Sequence, residues 1–86
     1  MFHLIIATPE KVIFEGAVIS LIAPGKIGYL EILSNHAPLI TSLQKGKVVG
    51  TRENGSKFTL ELSGGLLEVS QNKASLLADD AENVVI

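Results

Sequence analysis

Residues 47–63 read K-V-V-G-T-R-E-N-G-S-K-F-T-L-E-L-S. Asn54-Gly55 is the favoured central pair of a two-residue type I′ hairpin turn, where both residues need a positive φ. With that loop Glu53 faces Ser56, Thr51 faces Phe58, Val49 faces Leu60 and Lys47 faces Leu62. Directly opposed residues share a face of the ladder. Val49, Phe58, Leu60 and Leu62 are therefore predicted to point inward. Arg52/Lys57, Gly50/Thr59 and Val48/Glu61 take the outer face. A one-residue slip would bury Lys57 and Glu61, so the apolar pattern itself specifies the register.

The same punctuation recurs along the chain: short apolar or alternating runs, cut by turn residues, as in an all-β sandwich or barrel. Phe2 to Ala7 runs extended and stops at Thr8-Pro9-Glu10, since a proline cannot donate to a ladder. Val12-Ile13-Phe14 centres a second run, punctuated by Gly16. From Ala17 to Ala23 the alternation predicts Ala17, Ile19, Leu21 and Ala23 on one face and Val18, Ser20 and Ile22 on the other. Pro24-Gly25-Lys26 reads as a turn. Gly28 to Leu33 and Leu39 to Leu43 are further extended segments, joined through Ser34-Asn35 and the stiff Ala37-Pro38 step. Gly64-Gly65 predicts a sharp corner. Leu66 to Val69 and Lys73 to Ala78 form a last strand pair around Ser70-Gln71-Asn72. Asp79-Asp80-Ala81-Glu82 reads as a polar turn or the start of a helix, where acidic groups meet the positive end of the dipole. No segment sustains a 3.6-residue period.

A chain of 86 residues is one domain, residues 1–86, with a small core. It is apolar-rich for its size, 47% hydrophobic against 19% charged. That excess predicts apolar surface covered by a partner. The net charge of −2, with no basic run, argues against nucleic acid. Without cysteine there is neither a disulfide framework nor a thiolate metal site. No apolar run approaches the roughly 20 residues of a spanning helix, so any membrane association is expected to be indirect.

Catalytic motifs are hard to find. His3 and His36 lie on different runs, and neither has a ligand partner at metal-pair spacing. Ser63-Gly64-Gly65 lacks the G-x-S-x-G context of a nucleophile. Asp79-Asp80 could pair for acid–base work, but a solvated turn explains them more simply. Gly25-Lys26 lacks the spacing of a phosphate loop. The reading is of a non-catalytic binding module with no metal and no cofactor. The competing class is a lipoyl or biotinyl carrier, with Lys73 in Asn72-Lys73-Ala74 as the acylated lysine. A small sugar- or oligonucleotide-binding barrel is disfavoured by the lack of tryptophan and the scarcity of other aromatics.

Several pieces, in order and over nearly the whole chain, carry a family resemblance. They are Thr8-Pro9-Glu10, Phe14-Glu15-Gly16, Ala23-Pro24-Gly25, Gly28, His36-Ala37-Pro38-Leu39, Ser63-Gly64-Gly65-Leu66-Leu67-Glu68-Val69 and Leu77-Ala78-Asp79. Together they resemble the epsilon subunit of F-type ATP synthase. The resemblance implies a flattened ten-stranded β-sandwich with no chemistry of its own. It implies a rotor component of the central stalk at the cytoplasmic face of a bacterial membrane. There it would be bound to gamma, seated on the c-ring, and part of the complex with alpha and beta.

Members of that family usually add a C-terminal helical hairpin. Glu82-Asn83-Val84-Val85-Ile86 is too short for one, so a short form without helix-based inhibition is expected. The resemblance implies gamma contacts at Thr8, Asn35, His36, Ala37, Ile40 and Thr41. It implies c-ring contacts around Tyr29, Leu30, Glu31 and Ile32, on a loop whose Lys26-Ile27-Gly28 departs from the family's acidic, glycine-rich pattern.

Overall fold

A computed structural model describes all 86 residues. Nine strands follow one another: β1 (Phe2–Ala7), β2 (Val12–Gly25), β3 (Gly28–Leu33), β4 (Leu39–Leu43), β5 (Gly46–Arg52), β6 (Lys57–Leu62), β7 (Gly65–Ser70), β8 (Lys73–Ala78) and β9 (Ala81–Val85). The resemblance implied ten. The difference lies in β2, whose 14 residues do the work of two strands. Its first half pairs with β1, and its second half pairs with β3 on one side and β5 on the other.

The strands form two layers that share β2. One runs β3-β2-β5-β6-β9, the other β2-β1-β8-β7-β4. A single Gly25–Leu43 pairing draws β4 back to the far end of β2 and closes the second layer into a ring. All pairings are antiparallel except β1 with β8. The core of 17 apolar side chains takes Leu21, Ala23, Ile32, Val48, Phe58, Leu60 and Leu62 from the first layer. Phe2, Leu4, Ile6, Val18, Leu43, Leu67, Val69, Ala74, Leu76 and Ala78 come from the second. No polar or charged side chain is fully buried.

The hairpin at residues 47–63 forms, but one residue out of the expected register. Gly50 faces Phe58, Val48 faces Leu60 and Lys47 faces Glu61. Phe58, Leu60 and Leu62 do point inward. On β5 the inward residues are Val48 and Gly50, while Val49 is only half-buried. The turn explains the shift. Arg52 N–H donates to the Ser56 carbonyl at 2.8 Å, and Gly55 N–H donates to the Arg52 carbonyl at 2.9 Å. Only Gly55 has a positive φ, at 88°. This is a three-residue loop closing on a glycine bulge, the next commonest hairpin connection after I′. The Asn54 Oδ1 accepts the Ser56 N–H at 2.9 Å and fixes the bulge. The type I′ turn sits elsewhere, at Gln71-Asn72, with φ of 51° and 60° between the paired Ser70 and Lys73.

Three further expectations change. A bulge between Val18 and Ser20 resets the alternation of β2, so Val18, Leu21 and Ala23 are buried while Ala17 and Ile19 are exposed. Pro24 and Gly25 belong to β2, and the turn is Lys26-Ile27. Gly25 is buried because a Cβ there would meet the Leu30 side chain and the Gly28 carbonyl oxygen. The polar start at Asp79 leads into β9 on the edge of β6, not into a helix. The Gly64-Gly65 corner is as expected, with Gly64 at φ 151° and Gly65 packed against the Leu77 carbonyl.

Candidate interaction surfaces

Consecutive residues of a strand point to opposite faces. Each of the doublets Leu66-Leu67 and Leu76-Leu77 therefore sends one leucine in and one out. Leu67 and Leu76 are fully buried, whereas Leu66 and Leu77 are 43% and 52% exposed. Strand register brings the outward members together. Ser42 faces Leu66, Leu66 faces Leu77, Leu77 faces Ala7, and Ala7 faces Val12. Ile5 and Ile40 belong to the adjoining row, separated by Ser75 and Glu68. The outer face of the second layer thus carries an apolar stripe across four strands, from Leu66 through Leu77 and Ala7 to Val12, with Val12 exposed at one end and Ile40 exposed on β4 beyond the other.

Thr8 sits at one end of this stripe. Its N–H donates to the Lys11 carbonyl at 2.9 Å, and it lines a hollow of about 390 Å³ together with Leu66 and Leu77. The other residues expected to contact gamma do not gather around it. Ile40 faces outward at the far side of the same face, 67% exposed. Thr41, next in sequence, is half-buried and turned the other way. Asn35 lies near Asn72, at the opposite end of β8 from Leu77, to which the end of β1 is paired. Six residues of β8 separate those ends by roughly 17 Å at strand rise.

His36 and Thr41 line a second feature, a groove of about 550 Å³ between β3 and β4. Its other wall is the β2–β3 turn with Tyr29 and Leu30. The groove therefore joins part of one expected contact set to part of the other. Within it, His36 Nδ1 lies 2.7 Å from the Ala37 carbonyl oxygen. A carbonyl only accepts, so Nδ1 is the donor of this bond, and Nε2 has no partner within the chain.

The β2–β3 turn is firmly held. Gln44 Nε2 donates to the carbonyls of Gly25 and Lys26 at 2.8 and 3.1 Å. Tyr29 is 61% exposed, and its hydroxyl accepts the Lys47 N–H at 3.0 Å. Glu31 is exposed and accepts a hydrogen bond from Ser20 Oγ at 2.9 Å. Leu30 is half-buried against the core. Ile32 is a correction: at 1% exposure it is a core residue with no surface to offer, because it shares the inward face of β3. The residue that was overlooked is Ile27, wholly exposed at the tip of the turn.

The groups with chemical potential are dispersed. His3 Nε2 meets Glu15 Oε2 at 3.0 Å on the surface. Asp80 Oδ1 accepts the N–H of Ala81, the first residue of β9. Lys73 begins β8, one residue beyond the turn pair, and is not at the tip where an acylated lysine is expected.

Comparison with known proteins points one way. Residues 1–84 match the family described as ATP synthase, Delta/Epsilon chain, beta-sandwich domain. The ATP synthase epsilon chain of Chlorobium limicola is 46% identical over 79 residues, covering 92% of this chain and 90% of that relative. The epsilon chain of Dichelobacter nodosus is 41% identical over 80 residues, but there the match spans only 56% of the relative's length. Several other curated relatives are likewise matched over little more than half their length. Among solved structures, a chain of the Euglena gracilis mitochondrial ATP synthase superposes with a TM-score of 0.87 at 20% identity. It is covered over 51% of its length, against 92% of this chain. A chain of the Tetrahymena thermophila mitochondrial ATP synthase central stalk and c-ring gives a TM-score of 0.76 at 19% identity. The match covers 93% of this chain and 64% of that one. At such identities these two likenesses establish the sandwich fold.

Proposed function

The chain belongs to the ATP synthase delta/epsilon family through its β-sandwich domain, and from that premise we propose that it is a non-catalytic joint of the rotor, held by gamma and resting on the c-ring. The observation that carries this reading is the uncovered apolar stripe through Leu66 and Leu77. It lies between Thr8 and Ile40, two of the positions the family resemblance assigns to gamma. Covering each of its half-exposed aliphatic side chains is worth on the order of 1 kcal/mol, set against the freedom lost on docking. A joint that transmits torque needs a persistent interface with an apolar centre.

The groove and the β2–β3 turn give the joint its second contact. Ile27, Tyr29, Glu31 and the exposed part of Leu30 are its c-ring side. His36, Asn35 and Ala37 flank it on the gamma side, with the Nε2 of His36 available for a hydrogen bond. Attachment to the cytoplasmic face of a bacterial membrane is then peripheral, through the c-ring. The chain's part in coupling proton movement to ATP synthesis on alpha and beta is mechanical.

Titration of the purified chain with its cognate gamma subunit tests the proposal. Leu66→Lys and Leu77→Lys each place a charge on the stripe. They are expected to weaken gamma binding at least about tenfold, because a charge in a dry interface centre goes unpaired. Both sites face outward, so thermal unfolding should shift little. Wild-type chain that ignores gamma, or lysine variants that bind it equally well, would reject the reading.

A further inference from the structure

Three distant parts of the chain meet on one side chain. Asn72 is the second residue of the type I′ turn between β7 and β8, at φ 60°. Its Oδ1 accepts the N–H of Asn35 at 2.7 Å, 37 residues away. Its Nδ2 donates to the Met1 carbonyl at 2.8 Å, 71 residues away. Its own carbonyl accepts the N–H of His3 at 3.2 Å. The turn is thereby anchored to the start of β1 and to the β3–β4 loop together.

The loop gains most from this. Residues 34–38 make few hydrogen bonds. The His36 N–H returns to the Leu33 carbonyl at 3.2 Å, and the His36 ring is bound to the neighbouring carbonyl. Pro38 has no donor to offer. Asn35 is itself a left-handed corner at φ 61°, a conformation that asparagine tolerates but that does not by itself fix the segment after it. The Asn72 bond is the one that ties this corner to another part of the fold.

We propose that Asn72 is a positioning residue for gamma binding: it holds the Asn35 corner so that His36 and Ala37 are presented in one conformation. The inference rests on the function proposed above. It adds that the loop is ordered before gamma arrives, so less freedom is lost on docking.

Two substitutions separate the contacts. Glycine at position 72 accepts the positive φ without strain and removes both side-chain bonds. Aspartate keeps the acceptor for the Asn35 N–H, now charge-assisted, and loses only the donor to Met1. In titrations against gamma, Asn72→Gly is expected to weaken binding by about 3–10-fold, a hydrogen bond and its ordering lost. Asn72→Asp is expected to stay within about twofold of wild type.

Amide exchange on the free chain supplies an independent readout. The Asn35 N–H should exchange slowly in the wild type and in Asn72→Asp, and fast in Asn72→Gly. An unprotected Asn35 amide in the wild type overturns the proposal without any variant needing to fold. So does Asn72→Gly binding gamma as the wild type does, or Asn72→Asp falling as far as Asn72→Gly. A wild-type chain that does not bind gamma at all instead rejects the rotor reading on which this rests.

Discussion

Gly50 and Phe58 show how one missing Cβ decides a register. The Phe58 ring fills the space over Gly50, where a Cβ would overlap it. On its other side the ring stacks on Phe14, 4.3 Å between centroids, and the Arg52 guanidinium lies 5.2 Å from its centroid. Alternation made Gly50 an outward residue opposite Thr59. It could not reveal that a large ring needs a small partner directly across the ladder. Gly50→Ala is expected to destabilise the fold by about 1–3 kcal/mol, the usual cost of overpacking a filled core. In a Phe58→Leu background, which vacates the ring's place, the same change should cost much less. Chemical denaturation of the two single variants and the double variant measures the coupling, and strictly additive effects would contradict the packing described.

At the scale of elements, the sequence announced the strands but not their phase. Seven of the first eight strands fall on a run read from the sequence, because turn residues break ladders for local reasons that need no tertiary knowledge; β2 is the exception, running unbroken through Gly16 and Pro24-Gly25 where breaks were expected. Register proved different. Asn-Gly serves an I′ turn and a three-residue bulged loop equally well, and the choice between them moves β5 by one residue. In β2 the apolar residues on both faces hid the bulge at Ile19, since between Glu15 and Pro24 neither face carries a charge to mark its phase. The doublets of β7 and β8 were the opposite case. Two adjacent leucines in a strand of a two-layer sandwich send one side chain outward, a signal of the stripe that the strand pairing alone did not bring out. Gly55 provides a check on the turn. At φ 88° it should resist replacement, with Gly55→Ala costing about 1 kcal/mol or more. Asn54, outside the left-handed region, should lose only its hydrogen bond to Ser56 when changed to Ala. Equal and large losses at both positions in thermal unfolding would instead indicate the I′ geometry.

For the whole molecule, the two candidate contact regions are a sheet face and a rigid tip, not two neighbouring clusters of residues. The family resemblance supplied names for positions along the chain. It carried no information on which of them share a face, and so Ile32 was counted as surface and Ile27 was passed over. In assembled ATP synthase, cysteine at position 27 or 31 is expected to cross-link to a cysteine in a c-ring loop. Cysteine at position 32 should not react until the chain unfolds. Cross-linking from 32 with none from 27 or 31 would reverse the assignment. The parallel pairing of β1 with β8 has a consequence for synthesis. During translation β1 has one edge matched early, by β2, and the other only after residue 73 and its successors have been made. Until then Phe2, Leu4 and Ile6 belong to an unfinished wall with a bare edge. The nascent chain must wait for β8 before β1 can be sealed on both edges, which makes that interval its most vulnerable to exchange of β1 between copies.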